Sequence, residues 1–113
     1  MATISKHIHP KDLQDAALKA TGLLKAMSNP DRLQLLCQLT QGEHCVSELE
    51  TAVGLRQPTL SQQLTILRDA QLVETRREGK QIFYSIASKE ALAVLKVLYE
   101  QFYQLHIGKK NDN

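Results

Sequence analysis

The sequence has no tryptophan, only two cysteines in 113 residues, and no marked excess of charge of either sign. Cys37 and Cys45 are too few for a disulfide framework, which excludes a small stapled scaffold. No apolar run is long enough to cross a bilayer, and the start of the chain lacks a secretory signal pattern. These absences lead to the expectation of a cytoplasmic chain with no membrane partner and with its thiols reduced. Repeats, low-complexity tracts and interdomain linkers are also missing, so one domain with a modest core is expected. There is no glycine-rich phosphate loop, and no nucleophile has a base and an orienting group at recognisable spacing, so no enzyme is expected.

What is present is a globular balance of 42% hydrophobic and 23% charged residues. The formal net charge is only +2, but it is localised. Between Arg56 and Ile82 the bases Arg56, Arg68, Arg76, Arg77 and Lys80 face only Asp69, Glu74 and Glu78. That segment carries the whole excess, as a local phosphate footprint would.

Apolar spacing and cap residues predict the elements in turn. Leu13, Ala16, Ala17, Ala20, Leu23, Leu24 and Met27 form one stripe of a helix from Asp12 to about Met27. Asn29, Pro30 and Asp31 open a second helix, and Gly42 lies past its end. A short third helix runs over about Val46 to Val53, with Ser47 and Glu50 at capping-box spacing and Gly54 as its stop. Pro58 suits the first turn of a fourth helix ending near Asp69. Two β-prone runs, LVETRR and QIFYSI, flank EGK as a hairpin. Ser88 caps a last helix with the stripe Leu92, Leu95, Leu98, Phe102 and Leu105. The expected fold is mainly α with a small β-hairpin wing, a winged helix-turn-helix in the order ααααββα. It would occupy residues 12–106, between an N-terminal arm, 1–11, and a tail, 107–113.

The fourth helix carries the functional signal. Leu60, Leu64 and Leu67 face inward at helical spacing, while Ser61, Gln62 and Thr65 lie opposite, with Arg68 at the margin. Short hydroxyls and an amide suit base edges in a major groove, where Glu would repel phosphate. Gln57 and Thr59 stand at the start of that helix, whose unpaired N–H groups suit the DNA backbone. Arg76, Arg77, Lys80 and Gln81 on the hairpin suit flanking phosphates or the minor groove. The alternative is a winged-helix module that holds another protein.

The runs LLKAMSNPDRLQLLCQL and VSELETAVGLRQPTLSQQLTILRDAQLVETRREGKQIFYSI, with the closing helix, resemble the ArsR/SmtB family of bacterial winged-helix repressors. Within it they are most similar to the branch of sulfur-responsive repressors and virulence or biofilm regulators of the BigR, SqrR and HlyU type. The resemblance spans about Leu23 to Leu105. It implies a homodimer through the first and last helices, a two-fold symmetric double-stranded DNA operator, and a small inducer or reactive sulfur species that loosens binding.

The same resemblance directs attention to sensor positions. A carboxylate and imidazole site on the last helix is not supported, because its positions read Ser88, Glu90, Gln101 and Gln104. No cofactor is firmly implied; Zn²⁺ or a similar divalent metal would need His7 and His9 from the arm with His44 and Cys45. The sulfur-responsive branch uses two thiols; Cys37 matches the first, but Tyr103 stands at the second. Three accounts stay open for Cys37: pairing with Cys45, modification alone, or a buried apolar role.

Overall fold

A computed structural model describes residues 8–103 of the chain. Helix α1 (Pro10–Met27) begins ahead of the expected Asp12, because Nδ1 of His9 accepts from the Lys11 N–H at 3.2 Å. The arm therefore gives up Pro10 and Lys11 to the helix. Helix α2 (Pro30–Leu39) opens as expected, with Asn29 Oδ1 accepting from the Arg32 N–H at 3.0 Å. Helix α3 (Val46–Val53) has the expected bounds but a different cap. Its N-cap is Cys45, whose N–H donates to Glu48 Oε1 at 2.9 Å. The Ser47/Glu50 spacing is thus not the capping box; the true pair lies two residues earlier, where a thiol stands in place of the usual hydroxyl. Gly54 ends α3 in the left-handed region at φ 71°, the conformation that favours a residue without Cβ.

Helix α4 (Thr59–Asp69) follows that turn, so α3 and α4 form the helix-turn-helix. Strands β2 (Val73–Glu78) and β3 (Gln81–Ile86) then pair antiparallel around Gly79, at φ 64°, and Lys80. One element was not foreseen: β1 (His44–Cys45) pairs antiparallel with β3, giving the sheet order β1-β3-β2. The element order is therefore ααβααββα, with helix α5 (Lys89–Leu98) last and a π-helical turn, Tyr99–Tyr103, continuing it. Ser88 Oγ caps α5 by accepting from the Ala91 N–H at 3.0 Å. The tail 107–113 and Leu105 lie outside the described residues.

The core collects one face of every helix. Leu35 and Leu36 of α2, Leu49 of α3, Leu60, Leu64 and Leu67 of α4, and Leu95 of α5 are fully buried. Leu72 and Val73 join them where β2 begins. The terminal helices differ: of α1 only Ala26 and Met27 are buried, while Leu13, Leu18 and Leu24 are exposed. The expected α5 stripe splits likewise, with Leu95 inside but Leu92 and Phe102 exposed, Phe102 by 76%.

Arg32 ties these parts together. From the first turn of α2, its Nε donates to the Ala26 carbonyl at 2.6 Å and Nη2 to the Lys25 carbonyl at 3.2 Å. Both carbonyls belong to the last turn of α1, where helix geometry leaves acceptors short of partners; the Lys25 carbonyl also accepts the Ser28 N–H at 3.3 Å. Its Nη1 donates to Gln63 Oε1 on α4 at 2.9 Å. A planar fork meets three acceptors on two helices, which the point charge of Lys would not reproduce. Arg32→Ala is expected to lower unfolding free energy by about 1–3 kcal/mol in urea titration. Arg32→Lys should recover little of it, and a loss confined to Ala would show that charge alone matters.

Candidate nucleic-acid interface

Burial of Leu60, Leu64 and Leu67 leaves Ser61, Gln62, Thr65 and Arg68 exposed on α4, with Thr59 half-buried. Their hydrogen bonds separate their chemical roles. The Thr65 hydroxyl donates to the Ser61 carbonyl at 2.8 Å, and the Ser61 hydroxyl donates to Gln57 Oε1. Gln57 Oε1 also accepts the Ser61 N–H at 3.2 Å, so Gln57 serves the first turn of α4 as a cap. Both hydroxyls are thus left as acceptors, and Thr65 also offers a methyl group. Gln62, by contrast, makes no side-chain hydrogen bond among the described residues. Its amide keeps both donor and acceptor, which is what bidentate pairing with adenine requires.

The hairpin separates its basic residues. Arg77, Lys80 and Gln81 are exposed near the turn. Arg76 is occupied: Nε and Nη2 meet the Glu43 carboxylate at 2.9 and 2.7 Å, and Nη1 meets Glu78 at 2.7 Å. Its guanidinium also lies 4.8 Å from the centroid of the Phe83 ring. The Arg76 guanidinium holds the Glu43 carboxyl below its usual range, and the two carboxylates push Arg76 up. Arg76 is therefore a strut joining the β1 approach to the hairpin rather than an open phosphate ligand. Glu43, Arg32 and Gln63 were missed from the sequence, because each acts on a residue far along the chain.

The two sensor thiols sit in different surroundings. Within one protomer Cys37 is exposed on α2 and Cys45 is buried; neither is bonded to the other. Partial burial raises the Cys37 pKa, lowering its thiolate fraction at neutral pH. Cys45 Sγ lies 3.3 Å from Ser47 Oγ. Tyr103 stands beside Tyr99, ring centroids 5.0 Å apart.

The four-ligand metal set is not assembled among the described residues, where no three His, Cys, Asp or Glu side chains cluster. His7 lies outside them, and His9 caps α1. His44 and Cys45 are adjacent on a strand, so their side chains leave opposite faces. The His44 ring is also engaged, with Nδ1 2.7 Å from the Gly42 carbonyl and Nε2 3.3 Å from the Gln38 amide nitrogen. Among the described residues, His9, His44 and Cys45 are therefore not brought together as a metal site.

Residues 29–75 match the family described as "Bacterial regulatory protein, arsR family". The biofilm growth-associated repressor of Xylella fastidiosa is 46% identical over 96 residues, covering 85% of this chain and 84% of that protein. The chain belongs to the ArsR family. The transcriptional activator HlyU of Vibrio cholerae is a further relative, 40% identical over 94 residues, 83% of this chain and 87% of HlyU. Among solved structures, BigR from Xylella fastidiosa aligns with a TM-score of 0.77 at 45% identity, covering 84% of this chain and 97% of BigR. Reduced HlyU from Vibrio cholerae aligns at 0.79 and 40% identity, covering 82% and 98%. This ArsR-family chain is a winged helix-turn-helix transcriptional regulator and not an enzyme. No helix among its described residues is long and apolar enough to cross a membrane.

Iodoacetamide should modify native Cys37 well before Cys45, with a rate that keeps rising with pH beyond the range where an ordinary thiol levels off. Peptide mass spectrometry reads both sites; equal labelling of the two would contradict the burial difference.

Proposed function

We propose that this regulator binds a palindromic operator as a homodimer and represses by occupying it. The observation that carries this reading is the division of α4 into a buried leucine face and an exposed face of Ser61, Gln62, Thr65 and Arg68. Gln62 reads a base edge in the major groove, and Thr65 meets a base edge or a thymine methyl. Gln57 and Thr59 bring the start of α4 to the backbone, while Lys80 at the hairpin turn holds a flanking phosphate. Arg76 supports this contact indirectly, by fixing the hairpin.

The second copy is supported by the unburied apolar side chains of the terminal helices. Leu13, Leu18 and Leu24 on α1, with Leu92 and Val97 on α5, leave a broad apolar surface on a small protomer. Pairing these helices across a two-fold axis buries them and presents two copies of α4. The relative named a biofilm growth-associated repressor supports repression as the mode of action. A thiol-directed inducer, reactive sulfur or an oxidant, would meet Cys37 first, since Cys45 is buried.

Two experiments test this reading. Gln62→Ala should narrow the affinity gap between operator and random DNA by about 5- to 100-fold, whereas Lys80→Ala should weaken both alike and flatten the salt slope by about one unit. Equal losses on both duplexes from both variants would mean that α4 does not read bases. Leu18→Glu should sediment as a monomer and lose most operator affinity; an intact dimer would place the interface elsewhere.

A further inference from the structure

The strand register divides the hairpin into two unlike faces. Val73 pairs with Ile86, Thr75 with Tyr84, and Arg77 with Ile82, so these six side chains share one face. At its root that face covers the core: Val73 is buried, and Tyr84 and Ile86 pack against the central cluster. Towards the turn it runs past the body of the protein and ends in exposed Arg77 and Ile82, the isoleucine 40% exposed. The Arg77 Nε donates to the Gly79 carbonyl at 3.3 Å, and among the described residues both Nη groups are left for an outside acceptor.

The opposite face pairs Glu74 with Ser85, Arg76 with Phe83, and Glu78 with Gln81. Its arginine is already bound by Glu43 and Glu78. With Glu74 beside them, carboxylates outnumber the single guanidinium, so this face repels a phosphate backbone. Only the Arg77–Ile82 face combines an unpaired cation with an apolar side chain that gains nothing from water.

We propose that Ile82 is a specificity-determining residue: the Arg77–Ile82 face enters the minor groove beside the base-read half-site, and Ile82 selects A·T over G·C pairs there. The inference rests on the DNA reading above. In the minor groove, A·T pairs offer only acceptors, which the Arg77 Nη groups match, and narrow A·T tracts strengthen the attraction for arginine. A G·C pair adds the guanine 2-amino donor. Against the Ile82 methyl groups that donor loses its water and finds no acceptor, the costly case for a polar group.

The test uses the full chain and a duplex selected by it from a random-sequence pool. The selected centre is kept, and the flanking pairs are rebuilt as A·T, G·C or inosine·C, which lacks the 2-amino group. Fluorescence anisotropy at one salt concentration should show A·T and inosine·C flanks bound about tenfold more tightly than G·C flanks. Ile82→Ser should keep its affinity for A·T flanks within about threefold and lose the preference, while Ile82→Val should retain it. Equal wild-type affinity for all three flanks, inosine·C behaving as G·C, or a preference that survives in I82S would overturn the assignment. The inosine comparison uses only the wild-type chain, so it can overturn the assignment even if I82S folds poorly. Failure of the wild-type chain to select any duplex would instead overturn the DNA reading itself.

Discussion

The placement of α4 depends on one guanidinium. Arg32 closes the last turn of α1 through the Ala26 and Lys25 carbonyls and reaches Gln63 on α4. Leucine packing holds α2 against α4, but leucine contacts are non-directional and tolerate sliding. A planar fork with fixed hydrogen-bond directions does not. Gln63 lies on the flank of α4, between the buried leucines and the exposed polar face, so the contact sets the rotation of that helix without occupying its outer surface. Three helices thus share one polar fastening beside an otherwise apolar core.

The exit from α4 is fastened too. Gln71 takes a positive φ of 62°, and the Leu72 N–H turns back to the Leu67 carbonyl at 3.0 Å. The Leu72 carbonyl accepts from Ala87 at 2.9 Å and from Ser88 at 3.4 Å. One residue therefore links the end of α4, the start of β2 and the entry to α5. The hairpin is braced on its acidic side by Arg76, which leaves its other side to carry Arg77 and Ile82 beyond the protein body.

Much of the fold was legible because its signals are local. Asn29–Pro30, Gly54, Gly79 and Ser88 each act within a few residues, and each marks an element boundary where expected. The polar face of α4 was legible for the same reason, since a leucine stripe implies what lies opposite. The cap of α3 was misread because Cys45 is an unusual N-cap and Ser47, three residues before Glu50, imitates a usual one. Strand β1 was missed because two residues carry no periodicity. The Glu43–Arg76 pair and the Arg32–Gln63 contact each span more than thirty positions, and no window along the chain contains both partners. Arg76 therefore read as one more basic residue of the hairpin, when its charge is already matched.

Fastening α4 at its flank by Arg32 and at its end through Leu72 has a mechanical result. Tilting or rolling α4 alone would break the Arg32–Gln63 bond and the links through Leu72. The protomer is a stencil of fixed cut, and adjustment to an imperfect surface is left to whatever it is pressed against, or to the unsupported tip around Gly79 and Lys80.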